Sequence, residues 1–417
     1  MSTTLDSTSV VAKTRRWPAW YTVVSLCGAA VLISYIDRTN ISVAAIPMQA
    51  QFGWTETTKG WVLSAFFVGY LLFMAASGAL ANRYGGKFVL GAAVLWWSIF
   101  TALTPIAAMV SLPALLAARI ALGLGEAAVF PASINMLGRW VPAANRSRAV
   151  ALFSSALSIG TMISLPVTGW IVHVYGWAMP FYIFGAAGLA WALFWFSAVR
   201  SGRSPDAEPP PVHSVIPWKA LLRSTAVWAI IINHMCSNWA LYVLLAWLPS
   251  YFKTTFNVSL ANAGLLSAAP WGAYFVTANA GGWIADGMIA RGRSVTFVRK
   301  VMQIGALVGC GGCLLLLETV HSPTVAMLLM CGAAGTLALC LSGFAVNSFD
   351  IAPRYADVIW GLANTAGTLP GIVGVAVTGW LVDVTGSYRA PFLLTAAVGG
   401  VGALVYLVYA SGEREIE

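Results

Sequence analysis

The chain reads as an all-α membrane protein: twelve transmembrane helices in two pseudo-symmetric six-helix bundles. Three observations predict this. First, the 417 residues are 59% hydrophobic and only 9% charged, against about 25% charged in ordinary soluble domains. Second, the apolar residues gather into about twelve blocks of roughly 20 residues or more, the length that crosses a bilayer as a helix. Third, two motifs recur in the same order in the two halves, the mark of a duplicated unit.

The blocks run, within a few residues at each edge, over 20–47, 57–81, 88–107, 111–137, 148–172 and 178–199, then 224–251, 261–285, 299–319, 323–346, 357–382 and 389–410. Between the sixth and seventh lies SGRSPDAEPPPVHSVIPWKA, rich in proline and charge and without apolar period, hence a linker. The chain therefore divides into an N-terminal tail (1–19), a first bundle (20–199), a cytoplasmic linker (200–223), a second bundle (224–411) and a C-terminal tail (412–417). The tail holding Lys13, Arg15 and Arg16 leads into a long apolar block, which reads as an uncleaved first span and not as a signal peptide.

Charge sets the orientation. Outside the spans, every Lys and Arg except Lys59, Lys253 and Arg389 falls on one side, which puts both termini and the linker in the cytoplasm. The net charge of +9 follows from this bias and implies no nucleic-acid partner. The six cysteines all lie inside apolar blocks and read as small packing residues. Cys310 and Cys313 form a C-x-x-C without a second pair, so no metal site is expected.

The repeats are specific. Gly78-Ala-Leu-Ala-Asn82-Arg83-Tyr-Gly-Gly-Lys87 after the second block answers to Gly281–Arg293, with Asp286, after the eighth. Val167-Thr-Gly-Trp-Ile-Val-His-Val-Tyr-Gly176 answers to Val377-Thr-Gly-Trp-Leu-Val-Asp-Val-Thr-Gly386. Duplicated halves with a site at their interface are a transporter architecture.

Four charges stand inside the apolar blocks: Asp37 and Arg38 in the first, Arg119 and Glu126 in the fourth. A charge near mid-membrane costs a few kcal/mol or more, about 2.5–3.5 by insertion scales, and is functional by default. Seven residues separate Arg119 from Glu126, about two helical turns, so both side chains point the same way. Arg38 can hold a carboxylate bidentately; the bland alternative is an internal pair with Asp37 or Glu126. A carboxylate at Glu126 facing a partly dry cavity has its ionised form disfavoured, which brings proton loading toward working pH. Tyr35 lies one turn before Arg38 on the same face. His234, Asn238 and Tyr242 share one face of the seventh block, and His234 is a secondary proton-carrying candidate. No Ser-His-Asp set, metal cluster or phosphate-binding glycine loop lies in a span, so the chain is not expected to be an enzyme or to hold a cofactor.

The loop Gly78–Lys87 resembles the signature loop of the major facilitator superfamily, with Asn82 where the family has Asp; Asp286 keeps the acid in the second copy. The resemblance implies a cytoplasmic gating role for Gly78, Asn82, Arg83 and Asp286. Tyr35–Asn40, Arg119 with Glu126, LLAWLPSYF (244–252) and Asp350–Gly371 narrow the resemblance to the anion–cation symporter family. That family includes bacterial sugar-acid importers such as the galactonate transporter, and is related to sialin and the vesicular glutamate transporters. It implies Arg38 as the substrate-carboxylate ligand and Glu126 as the leading candidate for the proton carrier; Asp37 is the other titratable group, with Arg119 as its partner, and the order in which Asp37 and Glu126 load and release protons stays open. It also implies Tyr70 near the substrate; Asn347 and Asn364 are further candidate contacts. Leu157 stands where sugar-acid members tend to carry a hydroxyl-binding Gln, which makes an aromatic or aliphatic acid a serious rival to a sugar acid as the cargo.

The expected function is a proton-coupled symporter, monomeric, importing a small organic anion by alternating access. The rivals are a drug–proton antiporter on the same fold and a non-transporting ligand sensor. The animal members have a long first external loop; residues 48–56 are short here, which points to a bacterial inner membrane.

Overall fold

The computed structural model describes residues 19–142, 145–199 and 216–416. The expected N-terminal tail, apart from Ala19, and most of the linker lie outside the described residues. Among the described residues there are fifteen α-helices and no strand. The first half holds α1 (Ala19–Phe52), α2 (Glu56–Tyr84), α3 (Gly86–Val110), α4 (Leu112–Glu126), α5 (Val129–Trp140), α6 (Arg146–Tyr175) and α7 (Met179–Ala198). A short α8 (Trp218–Arg223) ends the linker. The second half holds α9 (Thr225–Phe256), α10 (Leu260–Ala290), α11 (Val295–Leu316), α12 (Pro323–Ala338), α13 (Phe344–Ile351), α14 (Ala356–Thr385) and α15 (Arg389–Tyr409).

These make the twelve expected spans, because two spans are broken helices: the fourth is α4 with α5, the tenth α12 with α13. Eleven of the twelve are long and apolar enough to cross a membrane. The exception is α10, which has 31 residues but carries Asn262, Asn279 and Asp286 among its small residues. It packs against α6, α9, α11 and α12, so its place is set by neighbouring helices. Several helices overrun the apolar blocks. The 34-residue α1 is about 50 Å long at 1.5 Å per residue, more than the roughly 30 Å hydrocarbon core. Hydropathy marks where a helix leaves the membrane, not where it stops.

The halves meet along α2–α14, α6–α10 and α1–α9. The repeated motif explains two of these seams. Its glycines are Gly169 in α6 and Gly379 in α14. A Cβ at Gly169 would stand 3.1 Å from the Leu260 carbonyl of α10, and one at Gly379 would overlap the Glu56 carbonyl of α2. The facing helices answer with Gly60 in α2, 3.3 Å by the same measure from the Val375 and Ala376 carbonyls, and Gly264 in α10, 2.5 Å from Leu165 O. Each glycine lets backbone approach backbone, the means by which membrane helices gain contact when water supplies no driving force. At the C-terminus, the Glu415 and Ile416 amides donate to the Ile351 carbonyl, at 2.9 and 3.1 Å, so residues 415 and 416 fold back on the second bundle.

Within the first half the closest approach is α2 against α4. A Cβ at Gly69 would overlap Ile120 O, and one at Gly123 would overlap Phe66 O. Gly69→Ala is therefore expected to cost about 1–3 kcal/mol of stability by overpacking. Gly305→Ala, at an open helical position, should stabilise by up to about 1 kcal/mol. Thermal unfolding of both purified variants checks the contrast.

Candidate functional site

Four helices deliver the site. Ser34, Tyr35 and Arg38 lie within a turn of one another on α1. Phe66, Phe67 and Tyr70 do the same on α2, while Arg119 and Glu126 come from α4 and Tyr242 from α9. The tight α2–α4 approach brings Glu126 level with Arg38. The α4 helix ends at Glu126, and Ser77 Oγ stands 3.1 Å from the freed Ala127 carbonyl.

Arg38 Nη2 donates to Glu126 Oε2 at 3.1 Å. The same oxygen accepts from Ser34 Oγ at 2.8 Å, and Arg38 Nη1 reaches Tyr35 OH at 3.4 Å. Three rings surround the guanidinium, with centroids 4.6 Å (Tyr35), 4.7 Å (Phe66) and 5.0 Å (Tyr70) from its carbon. Such faces attract a desolvated cation. Of the two sequence readings of Arg38, this conformation displays the internal pair with Glu126.

Arg119 is fully buried and its Nε and Nη1 have no hydrogen-bond partner among the described residues. Its carbon lies 5.7 Å from the Phe66 centroid, so Arg38 and Arg119 share that ring. The expected Arg119–Asp37 pair is not made in this conformation. Asp37, also fully buried, turns the other way from Arg38, toward Trp97 and Thr101 of α3, with both carboxylate oxygens unpartnered. Successive residues on a helix point about 100° apart, which is why neighbours in sequence face different helices.

Arg38, Ser42, Phe66, Phe67, Arg119 and Tyr242 line a cavity of about 10 Å³, room for about one water. Phe67 and Tyr242 close it from the two halves, their centroids 4.4 Å apart. The sequence had Tyr242 on a candidate cavity face; Phe66 and Phe67 carried no signal, being aromatic residues in an apolar block.

Other sequence candidates lie elsewhere. Asn347 Nδ2 donates to Tyr406 OH at 2.9 Å, tying α13 to α15, and Asn347 is not among the residues that line the Arg38 cavity. Asn364 Nδ2 sits 3.1 Å from Met74 Sδ on the α2–α14 seam. His234 packs between Phe344 and Trp360, 4.8 and 5.1 Å between centroids. Leu157 packs against the main apolar core. The gating-loop residues are at the basic face: Asn82 Oδ1 accepts from Asn135 Nδ2 at 2.9 Å, Arg83 and Asp286 are exposed, and Gly78 lies against Pro131.

The opposite face, the outer one by the charge bias, carries a network that the sequence did not signal as one. The Asp383 carboxylate on α14 caps the N-terminus of α2, accepting from Glu56 N (2.8 Å), Thr57 N (2.6 Å) and Thr57 Oγ1. A carboxylate there also meets the positive end of the helix dipole. Beneath it Lys59, 1% exposed, donates to Gln49 Oε1 (2.8 Å) and pairs with Glu56 Oε2 (2.5 Å) over the ring of Trp247 (5.0 Å). These bonds join α1, α2, α9 and α14, and so clamp the two halves together on this side.

The Major Facilitator Superfamily model matches residues 27–375. The chain belongs to the Major Facilitator Superfamily. This facilitator is accordingly a multi-pass membrane transporter and not an enzyme. It is similar to the sodium-dependent phosphate transport protein 1, chloroplastic, of Arabidopsis thaliana: 41% identical over 416 residues, 96% of this chain and 81% of that one. It is 40% identical to the probable anion transporter 4, chloroplastic, of Oryza sativa subsp. japonica, over 99% of this chain and 72% of that one. It is 39% identical to the ascorbate transporter, chloroplastic, of Arabidopsis thaliana, over 97% and 77%. Among solved structures, a bacterial homologue of the human lysosomal transporter Spinster, inward-facing and occupied, matches with TM-score 0.80 and 18% identity over 94% of this chain and 97% of that one. A D-xylose–proton symporter matches with TM-score 0.75 and 17% identity, over 95% and 100%. These two likenesses concern the fold alone.

The relatives overturn the expectation of a bacterial inner membrane, since those at 39–41% identity are chloroplastic plant proteins. The short 48–56 loop separates this facilitator from animal members and carries no information on plant ones.

Removing the Asp383 clamp should open the outer side. Leu245 also lines the Arg38 cavity; in a Leu245→Cys background, Asp383→Ala is expected to raise labelling by an impermeant maleimide applied from that face several-fold. Equal labelling rates with and without Asp383→Ala would show that the cap does not hold the halves together.

Proposed function

We propose that this facilitator moves a small anion together with protons by alternating access, acting as a monomer without a cofactor. The observation that carries the reading is the Arg38–Glu126 pair, buried among aromatic rings at the interface of the halves. Two charges taken out of water cost several kcal/mol each unless paired. An anion can therefore reach Arg38 at low cost only if Glu126 is neutralised as it arrives. A proton on Glu126 does this: the guanidinium exchanges one negative partner for another, and the buried balance is kept. Release of anion and proton on the other side restores the pair. Asp37, behind Arg38, is the second proton acceptor of the same cluster.

The names of the relatives, anion, phosphate and ascorbate transporters, support an anionic cargo. Two buried arginines disfavour a lipophilic cation, and so a drug antiporter.

The test is uptake into proteoliposomes of benzoate, gluconate, ascorbate and phosphate, with and without an imposed pH gradient. Wild-type uptake of at least one of them should follow the gradient. Glu126→Gln should lose that dependence. Arg38→Ala removes charged hydrogen bonds of about 1.5–3 kcal/mol and should weaken binding roughly 10- to 150-fold. Uptake that ignores the gradient in wild type and Glu126→Gln alike would sink the coupling. No uptake of any anion would sink the reading as a whole.

A further inference from the structure

We infer that Arg119 is a second anion ligand, and that with Arg38 it makes a two-guanidinium site selecting a four-oxygen anion of the phosphate class over a monocarboxylate. The inference rests on the anion reading above and adds a specificity residue to it. A guanidinium has five N–H donors. Arg38 places one on Glu126 and one on Tyr35. Arg119 is 1% exposed, and its Nε and Nη1 have no hydrogen-bond partner among the described residues. A buried donor without an acceptor costs about 1–3 kcal/mol, more when charged, so an arginine kept in this condition points to an acceptor that arrives from outside.

The acceptor would arrive in the cavity that Arg119 lines jointly with Arg38. Both guanidinium carbons lie against one ring, Phe66, at 4.7 and 5.7 Å. They are therefore within about 10 Å of each other at most, and one small anion can lie between them once the halves part. A carboxylate has two oxygens, which one guanidinium fork takes completely. A tetrahedral oxyanion has four, enough for two forks at once. Ser42 and Tyr242, in the same lining, add hydroxyls able to bond what the forks leave. Arg119 thus adds little for benzoate or gluconate and much for phosphate.

The experiment is calorimetric titration of the detergent-purified full chain with inorganic phosphate, glycerol 3-phosphate, benzoate and gluconate. It compares wild type with Arg119→Lys, which keeps the charge and loses the fork, and with Arg119→Gln. Both variants are expected to weaken phosphate-class binding more than tenfold and the monocarboxylates less than about threefold, since one tenfold step is about 1.4 kcal/mol. Binding of glycerol 3-phosphate alone, with the same dependence on Arg119, assigns the site to phosphate monoesters and keeps the role of Arg119. Unchanged phosphate-class affinity in the variants, or an equal loss for all four probes, overturns the inference. Wild type binding a monocarboxylate but neither phosphate compound overturns it while leaving the anion reading intact; binding of none of the four fails both. If neither variant folds, spectra of wild type labelled with 15N-arginine decide. Phosphate should then move the Nε–H signals of two buried arginines, and movement of only one overturns the inference.

Discussion

A salt bridge buried in the middle of a membrane protein must be set very accurately, because its members are costly apart. The Arg38–Glu126 pair meets this demand through the approach of α2 to α4. Gly69 and Gly123 remove the side chains that would hold these helices apart, and the break after Glu126 ends α4 at the level of Arg38. Ser34 then bonds the carboxylate, while Phe66 and Tyr70 cover the guanidinium. Shifting either helix by one turn, about 5.4 Å, would leave two opposite charges unpaired in a dry interior.

The same economy explains the seams between the halves. The repeated Val-Thr-Gly-Trp motif puts a glycine at equivalent places on α6 and α14, and each faces the first turn of the opposing helix. Where the repeat is broken, function has room to act. The seventh position of the motif is His173 in one copy and Asp383 in the other. His173 is exposed, whereas Asp383 caps α2 and locks the outer face. Asp383 thus adds to the α2–α14 seam a tie that His173 does not supply on α6, beside the contact of Lys59 with Trp247.

Much of the fold was legible in the sequence, and the misses have physical causes. Lys59 read as one of the few basic residues outside on the minor side. Its Nζ is buried because Glu56, one turn earlier, and Gln49 on α1 supply the acceptors; the Gln49 contact forms only when α1 packs beside α2. Asn347 read as a candidate substrate contact because it is polar in an apolar block; in this conformation its amide donates to Tyr406. The α10 helix crosses despite its polar residues because helices, more than lipid, surround it. The short 48–56 loop sets this chain apart from animal members and does not separate bacterial proteins from the chloroplastic ones it is similar to.

By itself the sequence determined the number of spans, the duplicated halves, the side on which positive charge collects, and the four charges the membrane would have to tolerate. These follow from composition and period, which lipid reads one helix at a time. Only the tertiary structure decided the pairing. Arg119 and Glu126 share a face at seven-residue spacing, yet one is paired and the other is not. Asp37 and Arg38 are adjacent, yet they face α3 and α4. Helical geometry specifies the direction of each side chain relative to its own axis. What stands in that direction depends on how closely, and at what height, another helix passes, and that is set by glycines and breaks far apart in the chain.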